Sequence, residues 1–107
     1  MPTTYKILGQ ITGSNTNQTL YTVPAGKQAV SSTLVIANRS ATSGSYRLMA
    51  IPSGSTLSSA SYLAFDVGIG GYDTTALTLG LTFNQGDKLD VYGLVSGSFN
   101  LFGSEIS

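Results

Sequence analysis

The 107-residue chain has no cysteine, no histidine and no tryptophan, and only 9% of it is charged. Without cysteine there is neither a disulfide nor a thiolate metal site, although the redox compartment does not follow from that. Without histidine the commonest general base and the commonest metal ligand are both missing. Charge is the sharpest shortage, since ordinary soluble domains carry about 25% Asp, Glu, Lys and Arg. Five basic residues balance five acidic ones, giving a net charge of +0, so no field draws in nucleic acid or an anionic membrane. A solitary soluble protein normally keeps a net charge that resists self-association. A surface this neutral, rich in Ser, Thr and Gly, is expected where a protein is packed against copies or partners, or meets harsh external conditions. The plainer alternative is a neutral globular domain with a hydroxyl-rich surface.

Long apolar runs are also missing. None approaches the ~20 residues of a membrane helix. The opening MPTTYKILGQ has no basic segment followed by an apolar core, so a signal peptide is not expected. The length fits one domain, residues 1–107, able to bury roughly two-thirds of its unfolded surface.

What is present is strand patterning. Residues 73–95, DTTALTLGLTFNQGDKLDVYGLV, organise the rest. Leu77, Leu79, Leu81 and Phe83 alternate with Ala76, Thr78, Gly80 and Thr82, which gives a strand with one apolar face. Asn84, Gln85 and Gly86 supply turn chemistry, after which Leu89, Val91 and Val95 resume the alternation. A long β-hairpin is predicted, its leucine face covered by other strands because a lone hairpin is not stable in water.

Elsewhere, residues 3–12 read as a strand with Tyr5, Ile7, Gly9 and Ile11 on one face, ended by a polar loop over 13–17. A short strand over 19–23 leads to a tight Val23-Pro24-Ala25-Gly26 turn. Residues 27–38 carry Leu34-Val35-Ile36-Ala37, apolar on both faces, as a central strand would be. Further strands are predicted over 46–51, over 61–67 with Leu63, Phe65 and Val67 as the apolar face, and over 98–106. About eight strands separated by turns, with no helical periodicity, point to an all-β antiparallel sandwich, jelly-roll-like given its several long connections.

Chemistry-bearing constellations are scarce. Asp87 and Asp90 lie near the central turn, but GDKLD has the wrong spacing for a calcium loop. Asp87 is expected to cap its turn and Asp90 to face solvent. Nothing brings Asp66 and Asp90 together as an acid–base pair. Serine nucleophiles lack a histidine, and Lys6, Lys27 and Lys88 sit at turns or strand ends where lysine is solvated. GIGGYD, at 68–73, lacks the lysine and following helix of a phosphate loop and reads as a bend. Tyr5, Tyr21, Tyr46, Tyr62, Tyr72 and Tyr92 admit two readings, a stacking platform for sugars or packing at sheet edges and subunit contacts. Tyr62 and Tyr92, on the less apolar faces of their strands, keep the first open. No catalytic, cofactor-binding or metal-ligating residue is assigned, and no cofactor is expected.

The segments TLYTVPAGKQAVSSTLVIANRS and SYLAFDVGIGGYDTTALTLGLTFNQGDKLDVYG together resemble small β-rich virion structural proteins of tailed bacteriophages. The likeness lies in a strand, a VPAGK-like turn, a second apolar strand ending in a polar loop, and a later GDKL-type turn. It covers the chain from about Thr19 onward. It implies a non-enzymatic capsid decoration subunit that stabilises a phage head through contacts with the major capsid protein and its own copies. Such a protein is a homo-oligomer made in the host cytoplasm and carried in the virion, with no nucleic-acid or membrane partner. A tail, baseplate or fibre subunit touching host-surface glycan is the alternative. A free carbohydrate-binding module is a third, and an enzyme a distant fourth.

Overall fold

A computed structural model describes residues 3–107. Six antiparallel strands make up the fold: β1 (Thr3–Thr22), β2 (Gln28–Asn38), β3 (Gly44–Ile51), β4 (Tyr62–Ile69), β5 (Thr74–Phe83) and β6 (Lys88–Ile106). A single 3-10 turn at Ser59–Ser61 is the only helical element among the described residues. The chain is all-β, as its alternation predicts.

The count is six and not the expected eight, because two predicted breaks do not occur. The polar run 13–17 stays inside a 20-residue β1, and residues 96–97, between two predicted strands, stay inside a 19-residue β6. Both runs bridge two paired stretches: 3–12 of β1 lies on 98–106 of β6 and 18–22 on 88–91, with Ser14↔Gly93 the one pair between them.

On its other edge β6 divides its partners. Residues 88–93 pair with β3, and 97–106 pair with β2. β4 then continues from β3, and β5 from β2. Two layers result. In the β5 layer the order is β1 (3–12), β6 (98–106), β2, β5. In the β4 layer it is β1 (14–22), β6 (88–93), β3, β4.

The predicted hairpin does not form, since β5 pairs with β2 and β6 with β1, β2 and β3. Asn84 to Asp87 is a genuine turn, closed by Asp87 N–H donating to Asn84 O at 3.1 Å, but it carries the chain from one layer to the other. The Pro24 turn lies one residue later than predicted. Lys27 N–H donates to Pro24 O at 3.2 Å, which puts Gly26 (φ 77°) at the third position, where positive φ is required.

The corner where β1 and β6 change layers falls at Gly13 and Gly93. A Cβ on Gly13 would collide with the Gly93 and Leu94 carbonyls, and Gly93 has φ 98° with the Ser45 carbonyl against it. The bend brings both layers onto one core, in which Leu34, Ile36, Leu89, Phe99 and Leu101 are wholly buried. Tyr46 of β3 meets Phe99 of β6 edge-on across it, ring centroids 6.5 Å apart.

The leucine face of β5 turns inward as predicted, with Phe83 buried and Leu77, Leu79 and Leu81 partly so. β2 is central, yet only Leu34 and Ile36 are fully covered; Val35 and Ala37 are half-buried.

Two strands depart from their predicted facing. In β1, Leu8 is an extra residue between the pairs Ile7↔Phe102 and Gly9↔Leu101. A one-residue slip exchanges faces, so Leu8 enters the core while Tyr5 and Ile7 face solvent. In β4, two slips against β3 and a left-handed Asp66 (φ 52°) put Ala64 against the core. Leu63, Phe65 and Val67 are left exposed.

Candidate functional site

The outer face of the β4 layer gathers the most side chains with binding chemistry. Arg47 of β3 and Tyr92 of β6 are direct cross-strand partners. The Arg47 guanidinium lies 4.1 Å from the Phe65 ring centroid and 4.7 Å from that of Tyr92, within cation–π range. Its Nε donates to Asp66 Oδ1 at 2.6 Å, and a terminal nitrogen donates to Asp66 Oδ2 at 3.3 Å. This paired hydrogen bond lowers the Asp66 pKa and raises that of Arg47. Tyr62 abuts Phe65 edge-on at 5.0 Å. Tyr62 and Tyr92 therefore stand on one face, as their strand positions suggest, while Phe65 and Arg47 join them unpredicted. The only sequence signal for Arg47 was its rarity, as one of two arginines.

Asp66 and Asp90 form no acid–base pair. Asp66 is bound up with Arg47, whereas Asp90 is 8% exposed, its Oδ1 buried without a hydrogen-bond partner. The expected solvent-facing Asp90 is thereby corrected. Its cross-strand partners are Met49, fully buried, and Thr19. Asp87 does cap its turn. Its Oδ2 accepts from Asn84 N–H and its Oδ1 from Ser53 N–H, both at 2.9 Å. Of the segment 68–73, expected to be a bend throughout, residues 70–73 are one, with Asp73 N–H donating to Gly70 O at 3.2 Å and Tyr72 at φ 55°, while Gly68 and Ile69 still pair within β4.

Sequence reasoning passed over Glu105, which is 4% exposed. Its Oε2 accepts from the Tyr21 hydroxyl at 2.6 Å, and its Oε1 lies 3.4 Å from Lys6 Nζ and 3.5 Å from Lys27 Nζ. The Tyr21 hydrogen bond, then the lysine charges, hold the Glu105 carboxyl below its usual range against the opposing effect of burial. Burial first and the glutamate second push the Tyr21 phenol well above its ordinary value. Lys6 and Lys27, predicted to be simply solvated, keep partly exposed stems but direct their amines at this carboxylate. The cluster ties both ends of β1 and the turn before β2 to the end of β6. With its acid, phenol and amines already engaged with one another, it serves as a fastening.

The outer face of the β5 layer is apolar and open. Tyr5 (85% exposed), Ile7, Val30 and Phe102 line a concavity of ≈ 490 Å³. Each layer also ends in strands bonded on one side only: β5 and β1 in the first, β4 and β1 in the second. The molecule thus offers apolar faces and free strand edges beside the self-engaged Glu105 cluster. Comparison with protein-family models, with curated proteins and with solved structures yields no match to this chain.

Proposed function

We propose that the chain is a non-enzymatic structural protein of a tailed-bacteriophage virion, a capsid decoration subunit that cements neighbouring capsomers and its own copies. The observation that carries the reading is apolar exposure on both layers of an almost uncharged chain. Tyr5 and Ile7 stand out on one side, and Leu63, Phe65 and Val67 on the other. Monomers seldom expose contiguous apolar surface unless something docks there, and with net charge +0 little electrostatic repulsion opposes close packing. The fold reading that accompanies it is a jelly roll. Its support is the nested pairing of β1 with β6, β2 with β5 and β3 with β4, wrapped so that β6 also meets β2 and β3.

The test is stoichiometry in purified particles by quantified gel or mass spectrometry. Decoration requires hundreds of copies per virion, and absence of the chain from particles would end this reading. A second reading, a tail or fibre subunit touching host glycan, draws on the partly exposed Tyr62, Phe65 and Tyr92 around Arg47, since aromatic rings stack on sugars. It requires tens of copies or fewer and glycan-array binding that Tyr92→Ala abolishes.

A further inference from the structure

We infer that the free edge of β5 is a self-pairing interface, on which a second copy of this chain adds its own β5 antiparallel to form one continuous sheet. The inference rests on the assembly reading above and names the surface through which copies would meet. β5 is ten residues long and bonded to β2 alone, so its outward N–H and C=O groups are unpaired within the chain. Natural sheets blunt such edges with lysine, proline, inward charge or heavy irregularity. The other edges have these devices. β4 carries the left-handed Asp66 and two register slips, and β1 carries Lys6 and four slips. From Thr74 to Phe83 there is no charge and no proline, and the one irregularity is the slip at Ser31/Thr33 opposite Leu79 and the left-handed Gly80 (φ 59°). The run 74–78 before it is regular.

The occupant follows from symmetry and charge. In a two-fold antiparallel pair every residue near the axis meets itself or a near neighbour, so any charge would face its like at close range. A strand without charge satisfies that condition; β4 with Asp66 and the first half of β1 with Lys6 do not, and the uncharged half of β1 over 14–22 is broken by two register slips. Parity supports it as well. When residues i and j of the two copies pair with an even sum, as 74 does with 78, each face continues into its equivalent. The half-buried leucine side then extends as one apolar surface, and Ala76 and Thr78 form a flush outer side small enough for close approach.

The experiment uses the full chain in sedimentation equilibrium, wild type against Ala76→Lys and Ala76→Glu, each checked for folding by its thermal transition. Ala76 is exposed, so neither substitution disturbs the core. Wild type is expected to dimerise, each single variant to associate at least tenfold more weakly, and an equimolar mixture of the two to recover association as a heterodimer. Recovery in the mixture alone identifies position 76 as one that meets its own copy. A wild-type chain monomeric at millimolar concentration overturns the inference, as does a dimer indifferent to both substitutions. That second result leaves the virion reading standing, and a chain absent from particles leaves the edge result standing.

Discussion

At the scale of single residues, Glu105 decides how the protein answers to pH. Its carboxyl titrates lower folded than unfolded, so its stabilisation is complete above the unfolded value of about 4.3 and drains away as pH falls through the folded one. Tyr21 bounds the other side. Its phenol titrates higher folded than unfolded, so stability is intact below about pH 10 and falls as the unfolded chain begins to ionise. Thermal melts across pH should show a plateau with a loss at each end. Glu105→Gln should flatten the acid loss and cost about 2 kcal/mol at neutral pH, read by chemical denaturation. Tyr21→Phe should reduce the alkaline loss. Arg47 and Asp66, on the open face, contribute through a screened pair, and Arg47→Ala should move the melting temperature less than Glu105→Gln does.

At the scale of elements, the bend in β1 and β6 depends on Gly13, which sequence reading places in a loop, and on Gly93, which it places within a strand. Gly93→Ala adds a methyl against the Ser45 carbonyl at φ 98°, and should cost more than about 2 kcal/mol or prevent folding. Gly54→Ala is the matched control. It too has positive φ but open space around it, and should cost only about 1 kcal/mol. The β5 alternation, the centrality of β2 and the Asn84–Asp87 turn were legible, because period-two patterning and turn chemistry are local. Strand facing in β1 and β4 was not. Leu8 and Asp66 shift the register by one, and nothing in YKILGQI or YLAFDV marks which residue is the extra one. The absence of a β5–β6 hairpin was equally hidden, since turn residues suit an inter-layer crossing as well as a hairpin. Nor did the sequence mark the candidate face. Phe65 looked like core, and Arg47 meets it only because β3 and β4 are neighbours.

At the scale of the whole molecule, scarcity of charge shapes how copies and partners should associate. Contacts made by uncharged strand edges and apolar faces are nearly indifferent to ionic strength, unlike those made by exposed ion pairs. On the virion reading, retention of the protein on purified particles should therefore change little between about 0.05 and 0.5 M salt, measured by co-sedimentation. A steep loss over that range would show that charged contacts hold it.

The lengthwise pairing of β1 with β6 also has a kinetic side. Thr3 lies beside Ile106, so the opening strand has no bonded neighbour until the closing one exists. During synthesis the β1 segment must wait, uncommitted, until β6 has left the ribosome. Such distant contacts place folding in the millisecond-to-second range, and a chain stopped before Lys88 should remain unfolded by circular dichroism. The delay favours a segment that stays soluble while it waits, and the hydroxyl- and amide-rich stretch from Thr12 to Thr19 suits that interval.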